Sequence, residues 1–149
     1  LTYHQVSQIT TLSDPAALEA VLAWFDQFTA APIPHQLLLQ CQLAVIEGFT
    51  NAIRHGHRHL PMQTPVRIQV EISEQSIDIQ IWDQGPGFDL ASALESSLKD
   101  DNQELAGGRG LKIINQVADR LTYHPDPGRG NCLHLHRQLP WSQGGMDRP

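Results

Sequence analysis

Apolar residues recur at helical spacing in Leu18, Val21, Leu22, Phe25 and Phe28, with polar or small residues between them, which predicts an amphipathic helix. Ser13-Asp14-Pro15 supplies an N-cap candidate followed by proline in the first turn. After Ala31-Pro-Ile-Pro34 a second helix is predicted to run to about Arg58, burying Leu38, Cys41, Val45, Phe49 and Ala52. Glu47, Asn51, Arg54 and His55 occupy a different arc of that helix. The period then changes to two. Val66, Ile68, Val70 and Ile72 alternate with Arg67, Gln69 and Glu71, and after Ser73-Glu-Gln-Ser76 the run Ile77, Ile79, Ile81 repeats the pattern. This predicts an antiparallel hairpin with one buried face.

Between Asp89 and Ala106 the residues are mostly small and polar and hold no sustained apolar stripe. The segment reads as a mobile lid with one short helix around Leu90–Leu98. From Gly110 a further helix carries Leu111, Ile114, Val117 and Ala118 towards the core and ends near Arg120. Two strands, Leu121–His124 and Cys132–Leu139, flank the turn-rich Pro125–Gly130 segment. The fold class is α/β: one two-layer domain over residues 1–140, with helices on one face of a mixed, mostly antiparallel sheet, and a tail at 141–149 expected to be disordered.

The composition narrows the function classes. The chain has 149 residues, 40% of them hydrophobic, which suits one domain with an adequate core. A net charge of −6 with only 10 Lys and Arg argues against nucleic acid, because a phosphate-tracking surface needs clustered basic residues. No apolar run approaches the ~18–20 residues of a membrane span, and no signal segment opens the chain. The start at Leu1 leaves a few residues expected ahead of it. Cys41 and Cys132 read as reduced thiols in a cytoplasmic protein.

Three segments carry candidate chemistry. Glu47 and Asn51 lie four residues apart on a helix and so project from one face. Asn is unfavourable in mid-helix, and Mg²⁺, which takes one or two protein oxygens and keeps its waters, would give it a reason to be there. Glu47 could take a proton from an attacking hydroxyl. The alternative is a solvated helix surface. Asp83-Gln-Gly85-Pro-Gly87-Phe88 follows a strand and could be an ordinary turn. A carboxylate there can also accept from the exocyclic amine of adenine, whereas guanine would meet it acceptor to acceptor. Gly107-Gly108-Arg109-Gly110 before a helix is a plausible phosphate cradle or a short flexible connection. It is neither a P-loop nor a dinucleotide fingerprint.

Glu-x-x-x-Asn-Ala-x-x-His, Asp-x-Gly-x-Gly-Phe and Gly-x-Gly-Leu, in this order, resemble the nucleotide boxes of the GHKL ATP-binding superfamily. More closely, the chain is similar to the anti-sigma-factor serine/threonine kinases of bacterial partner-switching systems. The resemblance covers roughly Leu37–Leu139, with an N-terminal strand and the first helix in suitable places, and implies a Bergerat-type ATP-binding fold. It further implies Glu47 as general base and Asn51 as Mg²⁺ ligand. Asp83 would read adenine, with Gly85, Gly87, Gly108, Gly110 and Leu111 shaping the pocket and Arg54, His55 and Arg109 near the phosphates. Relatives of this type use ATP and Mg²⁺, phosphorylate a serine on a STAS-domain antagonist, sequester a sigma factor and form homodimers. One departure is Gly130-Asn131 where many relatives have Gly-Thr, which leaves the role of Asn131 open. The alternatives are a non-catalytic nucleotide-sensing module and a detached histidine-kinase catalytic domain. The latter would need a phosphoacceptor histidine, which the Asp14–Phe28 helix lacks.

His55, His57 and His59 alternate near a helix end, where they read as cations at a helix C-terminus, because they cannot all face one ion. His134 and His136 share a strand face, which leaves a two-ligand metal site open there.

Overall fold

The computed structural model describes residues 3–99, 108–126 and 129–139. Along the chain run β1 (His4–Thr11), α1 (Leu18–Phe25), α2 (His35–Asn51), β2 (Val66–Ser73), β3 (Ser76–Asp83), α3 (Leu90–Lys99), α4 (Gly108–Val117), β4 (Arg120–His124) and β5 (Asn131–Gln138). The strands form one sheet in the order β1-β2-β3-β5-β4, and every neighbouring pair is antiparallel. The expected tail at 141–149 and the later part of the expected lid lie outside the described residues. The helix expected within the lid is α3.

Strict alternation in β2 and β3 sends Val66, Ile68, Val70, Ile72, Ile77 and Ile79 to one face, where all are buried. Register confirms the shared face, since Ile68 lies opposite Ile81 and Val70 opposite Ile79. Against this face pack Val21 and Phe25 of α1, Phe28 from the 3-10 turn that extends it, Val45 and Phe49 of α2, and Ile114 of α4. Trp24, Phe25 and Phe28 meet edge-on or tilted, with centroids 5.4–6.5 Å apart. Asp14 accepts from Ala16 N at the start of the first helical segment, as an N-cap should. Among the described residues no helix is long and apolar enough to cross a membrane.

The helix expected to reach Arg58 departs from α geometry earlier. After Asn51 the backbone widens into a π turn over Ala52–Gly56, closed by a bond from His57 N to Ala52 O at 2.8 Å. Such turns concentrate at functional sites. The changed winding buries His57, which is 4% exposed, while His55 and His59 are exposed. The reading of all three as cations at a helix end therefore fails for His57, whose burial holds its pKa below the usual histidine value against the opposing pull of the Asp83 charge.

The other sheet face is polar. Arg67 stacks over the Trp82 ring at 3.8 Å. His134 Nε2 and His136 Nδ1 each lie 2.8 Å from Asp78 Oδ1, and no group of three ligands that could hold a metal occurs among the described residues. Burial works to raise the Asp78 pKa, but hydrogen bonds from His136, His134 and Ser76 together hold it below the ordinary carboxylate value. A carboxylate depressed on folding contributes stability above its unfolded pKa and loses it as pH falls through the folded one. The stability advantage of the wild type over Asp78→Asn, read from denaturant midpoints, is therefore expected to hold at neutral pH and to shrink below about pH 4.

Candidate functional site

Glu47, Thr50 and Asn51 of α2, with Arg54 and His55 of the π turn, face Arg109 and Gly110 of α4 across an open cleft of about 220 Å³. Spacings of three and four residues put Glu47, Thr50, Asn51, Arg54 and His55 on one side of the helix. The opposite side carries Cys41, Val45, Phe49 and Ala52 into the core, so packing fixes the direction in which the polar side points. The first turn of α4 brings backbone N–H groups without helical partners to the cleft, and the helix dipole adds partial positive charge there. With two arginines at the same opening, the cleft suits an anion.

Gly110 faces the Glu47 side chain. A Cβ built there would lie 2.9 Å from Glu47 Oε2. Gly108 opens α4. Leu111 is buried and is not part of the cleft lining.

A second cluster forms where β3 ends. Asp83, 8% exposed, accepts at Oδ1 from Gly85 N at 2.8 Å and from Asn131 Nδ2 at 3.0 Å. Asn131 is fully buried. Its Nδ2 also donates to Gly85 O at 2.9 Å and its Oδ1 accepts from Asp126 N at 2.7 Å, so both N–H groups and the oxygen of the carboxamide have partners within the protein. Oδ2 of Asp83 takes part in none of these bonds. Beside the turn, Gly87 adopts a φ of 83°, and the Phe88 and Tyr123 rings lie against each other at a tilt of 39°, with centroids 4.3 Å apart. Tyr123 Oη is buried without a well-formed hydrogen bond among the described residues. Its pKa is raised by burial first and by the Asp83 charge second.

The two clusters meet at the π turn. Arg54 and His55 line the cleft, and the next residue, Gly56, touches the Asp83 turn: a Cβ on Gly85 would fall 2.3 Å from Gly56 O. Glu47, Asn51, Arg54, His55, Arg109 and Gly110 are thus brought together, whereas Asp83, Gly85 and Gly87 are not among the residues that line the cleft: Asp83 and Gly85 adjoin it through Gly56, and Gly87 lies near Asn131, Pro125 and Tyr123. Sequence reasoning missed Thr50, although its position three residues after Glu47 was a sufficient signal. It also missed the buried role of His57. The open role of Asn131 resolves into holding Asp83 and Gly85.

Gly85→Ala forces a side chain against a backbone carbonyl that cannot rotate away, and is expected to lower stability by about 1–3 kcal/mol, seen as an earlier urea midpoint. Asn131→Ala removes the acceptor of Asp126 N and the donor to Gly85 O and leaves Asp83 Oδ1 with Gly85 N alone, and is expected to cost about 1–3 kcal/mol for each group left unpaired, again read from the urea midpoint.

The family model described as "Histidine kinase-like ATPase domain" matches residues 11–137. The serine-protein kinase RsbW of Staphylococcus aureus is 31% identical over 123 residues, which cover 76% of this chain and 77% of that protein. The anti-sigma F factor of Pasteuria penetrans is 26% identical over 107 residues, 71% of each. With most of its length matched by that model, and with a five-stranded sheet carrying its helices on one face, the chain belongs to the histidine kinase-like ATPase domain family.

Proposed function

We propose that this chain is a cytoplasmic, ATP-dependent serine/threonine protein kinase of the anti-sigma-factor type. Its substrate is a serine on a STAS-domain antagonist, its further partner a sigma factor, and its working form a homodimer. The observation that carries the reading is the opening of Glu47 and Asn51, one helical turn apart, onto the same cleft as Arg54, His55, Arg109 and the start of α4. A serine-protein kinase and an anti-sigma factor among the relatives support the reaction class.

In this reading the phosphates lie against the α4 N-terminus, with Gly108 and Gly110 giving close backbone approach and Arg54, His55 and Arg109 offsetting charge. The Asn51 carboxamide oxygen fits a Mg²⁺ ion, which when bound would neutralise charge on the phosphate oxygens. Asp83 Oδ2 accepts from the adenine amine, Gly85 and Gly87 leave room for the base, and Leu111 anchors α4 beneath. Glu47 takes the proton of the serine hydroxyl as its oxygen bonds to the γ-phosphorus. The bond from that phosphorus to the β,γ-bridging oxygen breaks, and ADP leaves with the electron pair. Positioning and charge neutralisation supply most of the catalysis in such transfers.

Glu47→Ala is expected to leave ATP binding largely intact and to reduce transfer to a STAS-domain serine by about 10²–10⁴-fold, read with γ-labelled ATP. Transfer at the wild-type rate would refute the assignment of the base. In Asp83→Asn the remaining oxygen can still accept from Gly85 and Asn131 while a donor replaces Oδ2, so ATP affinity is expected to fall at least about tenfold. Asn51→Ala is expected to remove the Mg²⁺ dependence of binding. Unchanged titrations for both variants would refute the site map. ATP binding with no labelled partner would favour the nucleotide-sensing module, and acid-labile label on a partner would favour a histidine-kinase domain.

A further inference from the structure

His57 lies outside the cleft lining, against the backbone that follows Asp83, and both of its ring nitrogens are engaged. Gln84 N donates to Nε2 at 2.7 Å, so Nε2 must carry a lone pair. Nδ1 lies 2.5 Å from Ser13 Oγ, and that hydroxyl is 2.6 Å from Thr64 O. The one proton of the serine hydroxyl is directed to the Thr64 carbonyl, so Oγ accepts from Nδ1–H. This bonding fits one form of the ring: neutral, with its proton on Nδ1.

The ring ties together three segments distant in sequence: the loop before α1 through Ser13, the loop before β2 through Thr64, and the backbone following Asp83 through Gln84. Gln84 stands between the carboxylate and Gly85, the residue whose backbone packs on Gly56. A proton on Nε2 would set that N–H against the Gln84 N–H, and one of the two buried groups would lose its partner.

We infer that His57 is a positioning residue for the base end of the nucleotide site, and that its neutral ring must hold the Gln84 amide for the site to bind, so that affinity falls as the ring protonates. The inference rests on the proposed reading of Asp83 as the adenine contact. Asp83 is the charged group acting on the ring, while Ser13, Thr64 and Gln84 are neutral. Burial outweighs the attraction of Asp83 and lowers the ring's pKa. The bridge is therefore intact above the ordinary histidine pKa and is lost as pH falls through the lowered one. Below that point the competent fraction falls, and with it the affinity, by about tenfold per pH unit.

The test compares ATP affinity in the wild type, His57→Gln and His57→Phe from about pH 8 down to below the ring pKa that the nitrogen shifts report, a span that brackets both the ordinary histidine value and the lowered one. The titration of the ATP phosphates is common to all three and cancels in the ratios. A glutamine can accept from Gln84 N and donate to Ser13 without titrating. His57→Gln is expected to match the wild type at the upper end and to lack its fall at the lower end. His57→Phe, with no acceptor, is expected to bind more weakly throughout. Ring nitrogen chemical shifts and Gln84 amide exchange in the unmutated protein read the bridge without nucleotide and without a variant that must fold. A proton on Nδ1, a depressed ring pKa and a Gln84 protection factor, taken relative to the intrinsic exchange rate at each pH, that falls as the ring protonates are expected. A ring protonated on Nε2 at neutral pH, or the same pH dependence of affinity in wild type and His57→Gln, would overturn the inference alone. Absence of ATP binding by the wild type at every pH would overturn it together with the reading on which it rests.

Discussion

The backbone contact between Gly56 and Gly85 governs the geometry of the site. A carbonyl occupies the space in which a side chain at position 85 would begin, 2.3 Å from its Cβ, so the end of β3 and the end of the α2 π turn lie flush. With that contact in place, Arg54 and His55 open on the cleft while Gly56 abuts the Asp83 turn. Without it the carboxylate and the polar side of α2 would belong to separate surfaces. Two adjacent small residues thereby achieve what a longer chain of side-chain contacts would do less rigidly, because backbone atoms have no rotamers to absorb displacement.

Orientation elsewhere comes from burial. Each turn of α2 that places Val45 or Phe49 in the core fixes Glu47 and Asn51 on the other side, so the polar geometry is inherited from hydrophobic packing. Asp83 benefits similarly from its strand. β3 is hydrogen-bonded on both sides, to β2 and to β5, and Asp83 lies directly opposite Asn131 in the register. The partner that saturates the carboxylate's inner oxygen is thus delivered by the sheet itself.

This division explains what the sequence could and could not reveal. The β2–β3 hairpin was legible because its alternation is strict and its inner face wholly apolar. α2 was legible because burial and spacing agree over several turns, and the same spacing singled out Glu47, Asn51, Arg54 and His55. β1 left almost no trace of its own, since its inward positions include Gln5, Ser7 and Thr11, and only pairing with β2 makes it a strand. The π turn is invisible to periodicity because one extra residue near a helix end barely alters the pattern. The buried roles of His57 and Asn131 depend on partners remote in sequence: Ser13 is 44 residues from His57 and Asp83 is 48 from Asn131. No local rule reaches that far.

The two free cysteines have a practical meaning for anyone attaching probes to this molecule. Both are buried. Burial pushes the Cys41 thiol up to about 12 despite the nearby Arg137 charge. Thiol reagents attack the thiolate, and at neutral pH that leaves only about one molecule in 10⁵ reactive at this position. Cys132 is likewise raised, first by burial, and lies beside the Gln80 carboxamide. A cysteine introduced on an exposed position of α3 would therefore carry a fluorophore or spin label selectively, with the native thiols left in place as silent bystanders.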